Sequence, residues 1–211
     1  MLKDRATNPP RVLSFANLQI FRTIRKQIIL SYLFVWIYPN FSLSLPRERN
    51  GYMQYDIVEI TELSGQMAHI YSVAAKNEDD TLFDKFVIEN QANLKDIRRM
   101  IARLKAMAKS TGCKIEFFKE NEGAPGDGVV ALRQGHMRLY CLRYGNTCIF
   151  IGSGGYKPPG IAAYQEDPDL NSKNLLTRKM ASAINKAIVE KDLIIHDDGT
   201  IETTDFIDLE I

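Results

Sequence analysis

The sequence predicts an α+β domain in which a small antiparallel sheet carries a two-helix hairpin and is followed by a C-terminal helix. Strand-like segments come in pairs separated by turn residues, which is typical of β-hairpins. Two helix-like segments stand between these pairs, and strands do not alternate with helices, so a parallel sheet is not expected. The chain has 211 residues, of which 45% are hydrophobic, and this is enough apolar material for a core.

The first part of the domain is a predicted hairpin followed by a short helix. Residues 55–61 and 66–74 are strand-like, and the sequence ELSG supplies the turn between them. Asp80 or Thr81 can cap the helix that comes next, because short polar side chains accept hydrogen bonds from free helical N–H groups. The apolar face of this helix consists of Leu82, Phe83, Phe86 and Val87.

A longer amphipathic helix follows, with Asn93 as its predicted N-cap and Gly112 at its end. Its apolar stripe consists of Leu94, Ile97, Met100, Ile101, Leu104 and Ala108. Its opposite face carries Lys95, Arg98, Arg99, Arg103, Lys105 and Lys109. Asp96 is the only acid of the helix. A basic helix face is commonly just solvated, and the alternative is a surface that binds anions.

The second part of the domain is a predicted antiparallel meander and a helix. Residues 129–144 and 147–155 are strand-like, with Gly145 and Asn146 as the turn between them. Gly135 predicts a bulge or bend inside the first of these strands. The final helix is predicted over about residues 171–191, and its apolar positions are Leu175, Leu176, Met180, Ile184 and Ile188.

Residues 1–52 are charged differently from the rest of the chain. They contain eight Lys and Arg residues and two acids, whereas residues 53–211 contain 19 Lys and Arg residues and 24 acids. An apolar run at residues 28–38 follows basic residues; it is too short to span a membrane and resembles a signal-peptide core without a clear cleavage site. Three interpretations stay open: a mis-assigned start before Met53, a membrane or signal segment, and a genuine extra element. We expect a disordered or untranslated extension outside the core.

The remaining sequence divides into a domain over residues 53–191 and an acidic tail over residues 192–211. The tail has seven acids and no Lys or Arg, and a small hairpin is predicted around Asp198 and Gly199. The three cysteines of the chain form no CxxC pair, which indicates buried, reduced thiols of a cytoplasmic protein. No metal or cofactor is expected, because the histidines are isolated and the glycines of GSGGYK lack the spacing of a phosphate loop.

Residues 131–160 contain no acid, although the chain as a whole is nearly neutral. Besides His136, the cations of this segment are Arg133, Arg138, Arg143 and Lys157. Arginine holds phosphate through two parallel hydrogen bonds, and Tyr140 and Tyr156 can stack on bases. The segment therefore predicts a wall that faces the phosphates of RNA. The alternative is that its arginines pair with acids elsewhere in the chain.

The order of these motifs carries a resemblance to a known family. The helix LFDKF, the basic helix IRRMIARLK, FFK with a glycine-rich turn, ALRQGHMRLYCLRYG and CIFIGSGGYKPPG follow one another. This pattern, over about residues 81–160, resembles the RelE/ParE superfamily of bacterial toxins, especially HigB-like and phage-derived relatives. Those relatives carry an L-x-E-L-R…Y-R-V-x-Y strand, a hairpin and a strand ending in G-F-x-K-K.

The resemblance implies the toxin of a type II toxin–antitoxin system, an mRNA interferase that cleaves mRNA in the translating ribosome. Such an endoribonuclease needs a base, an acid and cations around the phosphate, and needs no cofactor or metal. The partners that the resemblance implies are a small antitoxin protein, the ribosome and mRNA, in the cytoplasm and without a membrane. A homo-oligomer is an open alternative.

The resemblance also implies roles for single residues. Arg133 matches the arginine of E-L-R, and Arg138 matches that of Y-R-V and would stabilise the phosphate. Tyr156 and Lys157 match the aromatic residue and first lysine of F-x-K-K, and His136 would replace a missing C-terminal catalytic element. The residues expected to contact RNA beyond these are Tyr140, Arg143, Arg99 and Arg103.

Some positions depart from the family pattern. Ala131 stands where relatives often have Glu, and Pro158 and Pro159 replace the second basic residue. The balance of charge after Met53 is acidic, whereas phosphate binding is favoured by positive charge. The alternative function is therefore a non-catalytic RelE-like module that binds a protein or has a regulatory role.

Overall fold

The computed structural model describes residues 54–76, 78–120, 126–204 and 209–211. Their elements, in chain order, are β1 Gln54–Glu59, β2 His69–Ala75, α1 Leu82–Glu89, α2 Leu94–Ala106, β3 Phe118–Lys119, β4 Val129–Gln134, β5 Met137–Tyr144, β6 Cys148–Tyr156, α3 Pro168–Glu190, β7 Leu193–Ile195, β8 Ile201–Thr203 and β9 Leu209–Glu210. The predicted α+β class with a mostly antiparallel sheet is confirmed. The prediction for residues 1–52 lies outside the described residues.

The main sheet has seven strands in the order β3-β4-β5-β6-β2-β1-β9, which is larger than the small sheet predicted. Neighbouring strands are antiparallel except β2 and β6, which run parallel, with His69 opposite Cys148. The parallel pair arises because the chain crosses over α1 and α2 after β2 and returns through the β3–β6 meander. A hairpin and a meander therefore join into one sheet, which pairing of sequence neighbours alone does not reveal.

Helices cover both faces of the sheet, which places a hydrophobic core on each side. One core joins α1 and α2 to the face that carries Leu132, Leu139 and Ile149. The other joins α3 to the face that carries Tyr140 and Phe150. Strand β5 supplies both cores because its side chains alternate: Met137, Leu139 and Cys141 lie on one face, and Tyr140 and Leu142 on the other.

The helix starts follow ordinary capping chemistry in two cases out of three. Thr81 caps α1 in a reciprocal capping box with Asp84, so the predicted cap is confirmed. Helix α3 begins three residues earlier than predicted, because Asp167 accepts a hydrogen bond from the N–H of Leu170 at 2.8 Å. Helix α2 follows Asn93 as predicted, but the Asn93 side chain makes no capping bond.

The prediction of one strand over residues 129–144 is wrong. The segment is a hairpin, in which β4 and β5 are joined by a turn at Gly135 and His136. Gly135 has φ +54°, a left-handed conformation that glycine adopts without the steric penalty of a Cβ. The chain therefore reverses where a bend was expected, and Gln134 pairs with Met137 across the turn.

The described residues of the acidic tail belong to the folded structure. Strands β7 and β8 form the hairpin predicted around Asp198 and Gly199, with Leu193 opposite Thr203. Strand β9 pairs with the start of β1 and places the Leu209 side chain in the core beneath α3. Within the described residues, none of the helices combines the length and apolar character that a membrane span requires.

Candidate functional site

The predicted basic residues of the catalytic site meet at one end of the main sheet. Because β4 and β5 form a hairpin, Arg133 and Arg138 are direct cross-strand partners next to the turn. On the other side of β5, Tyr156 pairs with Met137, and Lys157 follows at the end of β6. Three chain segments therefore bring their cations to the β4–β5 turn, and we call this end of the sheet the basic end.

Arg138 lies inside the basic end, because its side chain is only 6% exposed. Its Nη1 atom donates to the carbonyl oxygens of Gly135 at 3.1 Å and of Met137 at 2.9 Å. These bonds tie the guanidinium to the backbone of the β4–β5 turn. Arg138 therefore holds the shape of the turn, whereas its cross-strand partner Arg133 is exposed to solvent.

His136 is the exposed residue at the tip of the turn, and two contacts fix its ring. Its Nδ1 atom lies 3.2 Å from the carbonyl oxygen of Lys157, and its ring centroid lies 5.4 Å from that of Tyr156. A carbonyl oxygen only accepts, so Nδ1 must carry the proton of this hydrogen bond. In the neutral ring the Nε2 atom then keeps its lone pair and can accept a proton.

Lys157 joins the end of β6 to the turn and to the loop that follows. Its backbone N–H donates to the carbonyl oxygen of His136 at 2.8 Å. Its Nζ atom donates to the carbonyl oxygen of Ala162 at 2.7 Å. An ammonium group has three N–H bonds, so this contact leaves donors for an anion.

Helix α2 fastens the turn from the face opposite α3. The Nη1 atom of Arg103 donates to the carbonyl oxygen of Arg133 at 2.5 Å, and its Nη2 atom donates to that of Phe117 at 3.3 Å. The carboxylate of Asp96 lies beside Gly135, 3.0 Å from the position that a Cβ would occupy there. Arg103, predicted to contact RNA, thus also positions the end of β4.

The other residues predicted to contact RNA are spread over the molecule. Tyr140 is fully buried against Tyr164, at 5.9 Å between ring centroids, so it offers no surface to a base. Arg143 lies at the opposite end of β5, where its Nη1 atom donates to the carbonyl oxygen of Cys113 at 3.4 Å. Arg99 is exposed on α2 and lies 3.7 Å from Asp96.

Two acids border the basic end that sequence reasoning did not assign to it. Asp96 approaches from α2, and an Oδ2 atom of Asp169, in the first turn of α3, lies 3.6 Å from the position of a Cβ at Gly155. The signal for Asp96 was present in the sequence, because it is the single acid of a basic helix. Asp169 gave no such signal, since its place depends on how α3 packs on the sheet.

The acidic hairpin β7–β8 packs at the other end of the sheet. The hydroxyl of Tyr71 donates to the carbonyl oxygen of Gly199 at 3.2 Å. Gly199 also packs against Thr147, which lies in the β5–β6 turn, far along β5 from His136. The hairpin acids therefore do not cover the basic end.

The glycines of GSGGYK lie within β6 and serve packing. At Gly152 a Cβ would lie 2.4 Å from the Oγ1 of Thr177, and at Gly154 it would lie 2.1 Å from the carbonyl oxygen of Arg138. Helix α3 and strand β5 therefore approach β6 at distances that only glycine permits. Among the described residues, no group of three or more His, Cys, Asp and Glu side chains is arranged to hold a metal ion.

Comparison with protein-family models, curated proteins and solved structures finds no match to this chain.

Proposed function

We propose that this protein is an endoribonuclease that cleaves mRNA on the ribosome, as the toxin of a toxin–antitoxin pair in the cytoplasm. The observation that carries the proposal is the ring of His136, exposed at the tip of a basic turn and held with Nδ1 as donor to the Lys157 carbonyl. An imidazole in this tautomer presents the lone pair of Nε2 and can act as a general base. The resemblance to the RelE/ParE superfamily supplies the substrate class.

In the proposed reaction, the Nε2 atom of His136 takes the proton of a ribose 2′-OH. The 2′-oxygen forms a bond to the adjacent phosphorus, and the bond from phosphorus to the 5′-oxygen breaks. The Lys157 ammonium gives a proton to the leaving 5′-oxygen. The products are a 2′,3′-cyclic phosphate and a 5′-hydroxyl, so atoms and charge balance without a metal or cofactor.

The arginines of the basic end have two different roles in this proposal. Arg133 is exposed and stabilises the negative charge that grows on the phosphate oxygens. Arg138 is a positioning residue, because its Nη1 atom is bonded to the carbonyls of Gly135 and Met137. Tyr156, which is 41% exposed beside the His136 ring, stacks on a base next to the cleaved bond.

A second candidate function is a non-catalytic module with a RelE-like fold that binds a protein. The burial of Arg138 and Tyr140 favours it, because both were expected to contact RNA and neither side chain is open to a ligand. In that case the basic end would dock an acidic partner protein. In both functions a small antitoxin encoded nearby is the expected partner.

The proposal is tested by inducing expression of the full chain in bacteria and mapping cellular mRNA ends by primer extension. We expect growth arrest and new ends within coding regions for the wild type, and neither for the double variant His136→Gln/Lys157→Gln. A matched control is Lys179→Gln/Lys186→Gln, which removes two exposed lysines of α3. Normal growth and intact mRNA with the wild type would reject cleavage and leave the binding module.

A further inference from the structure

The outward face of α2 is basic along its whole length. Its buried residues Ile97, Met100 and Leu104 point into the core, so the face opposite them points to solvent. The cations of this face are Lys95, Arg98, Arg99, Arg103 and Lys105, and Lys109 continues it in the helical turn Met107–Thr111 that follows α2. Asp96 is the single acid, and it lies beside Arg99. Like charges three and four residues apart destabilise a helix, and an anion bound along this face would relieve that repulsion.

This face leads away from the basic end. Near the start of α2, the Asp96 carboxylate lies against Gly135 in the β4–β5 turn. Beyond the helical turn Met107–Thr111 that follows α2, the N–H of Cys113 donates to the carbonyl oxygen of Asn146 at 2.7 Å, in the β5–β6 turn. The helix and the helical turn after it therefore extend along this face of the sheet from the β4–β5 turn towards the β5–β6 turn. At 1.5 Å per residue, positions 96 to 109 span about 20 Å.

We infer that the basic face of α2 binds the phosphates of the RNA strand that continues from the site of cleavage. The charges are complementary, and the face adjoins the basic end, because the Arg103 guanidinium within it donates to the carbonyl oxygen of Arg133. A stacked single strand rises about 3.4 Å per nucleotide, so the length of the face corresponds to about six nucleotides. The inference rests on the proposed function for the identity of the anion as RNA, and it assigns to α2 a role in binding and none in catalysis.

The test measures binding of the full chain to 2′-O-methyl RNA, which lacks the attacking hydroxyl and stays intact. Fluorescence anisotropy compares a dodecamer with a trimer over a range of salt concentrations. The variant Lys105→Gln/Lys109→Gln removes two charges from the far half of the face, and glutamine keeps the helix propensity of lysine. Lys179→Gln/Lys186→Gln on α3 is the control with the same charge change.

For the dodecamer, log K of the wild type falls as log salt rises. We expect this fall to be shallower by about 1.4 in the α2 variant, since each phosphate contact to a single strand contributes about 0.7 to the slope. The slope for the trimer should be unchanged in the α2 variant, and the α3 control should keep the wild-type slope for both RNAs. An unchanged dodecamer slope, an equal loss in the α3 control, or no dodecamer binding by the wild type would overturn the inference. Because the probe cannot be cleaved, these outcomes are separate from the mRNA cleavage that tests the proposed function.

Discussion

At the scale of single residues, the candidate site depends on which side chains the β4–β5 turn exposes and which it buries. His136 and Arg133 are exposed, whereas Arg138, two residues beyond the turn, is buried and bonded to the turn carbonyls. The sequence identified all three residues but not this division. Strand alternation predicts the face of a residue, while its depth depends on what packs over that face.

Gly154 and Gly155 are adjacent glycines of β6 with different surroundings. We predict that alanine destabilises the protein at position 154 and is tolerated at position 155. At Gly154 a Cβ would lie 2.1 Å from the backbone oxygen of Arg138, whereas at Gly155 the nearest atom is the Cδ1 of Leu170 at 3.5 Å. Gly154→Ala should lower the free energy of unfolding by about 3 kcal/mol, because backbone must move. Urea unfolding of the two variants checks this. Equal stabilities would refute the close approach of β5 and β6.

At the scale of elements, helices were easier to predict than strand connections. Local signals of capping, periodicity and turn chemistry predict the Thr81 cap, the apolar stripe of α2 and the β7–β8 hairpin. The structure has all three, except that Leu94, the first residue of the predicted stripe, is exposed. The β4–β5 hairpin was missed because its turn residues, Gly135 and His136, lack the usual Asn-Gly or Asp-Gly signal. The parallel β2–β6 pair was missed because it joins strands that are distant in sequence.

Lys191 ends α3 in a conformation that disfavours its side chain, and we predict that glycine stabilises the protein there. Its backbone has φ 66° and ψ 21°, a left-handed geometry in which a Cβ is strained. Lys191→Gly should raise the free energy of unfolding by about 0.5–1 kcal/mol, since glycine adopts this geometry freely.

The matched control for this substitution is the preceding residue. Glu190 is the last residue of α3, and Glu190→Gly should lower the free energy of unfolding by up to about 1 kcal/mol, because glycine disfavours a helix. Chemical denaturation of both variants measures the two signs. A loss of stability in Lys191→Gly would contradict the helix end described above.

At the scale of the whole molecule, the three thiols report on the intact fold. Cys113, Cys141 and Cys148 are buried and unpaired with one another, as the sequence predicts. Burial raises the pKa of Cys113 to about 11 and that of Cys148 to about 12, and it raises the pKa of Cys141 as well. At about pH 8 the native protein should therefore react slowly with a thiol reagent, and the unfolded chain should react at three sites. Fast reaction of the native chain would contradict the burial.

The same shifts set the direction of the pH dependence of stability. A thiol that loses its proton near pH 9 in the unfolded chain keeps it in the folded protein, because its folded pKa is higher. The contribution of these thiols to the free energy of unfolding should therefore be constant below about pH 8, and it should lower that free energy as the pH rises through the range between the unfolded and folded pKa values. Urea unfolding of the wild type and of Cys113→Ser, at neutral pH and at about pH 10, measures this fall and the share of one thiol. Stability that rises with pH would contradict it.

The central claim, that His136 is the base of an RNA cleavage reaction at the basic end, is tested most directly with purified components. Full-length protein is added to ribosomes translating a defined mRNA, and the rate and the chemical ends of the products are measured. We predict cuts with a 2′,3′-cyclic phosphate and a 5′-hydroxyl, slowed about 10²–10⁴-fold in His136→Gln. Cleavage at the wild-type rate by His136→Gln, or products with a 5′-phosphate, would contradict the account.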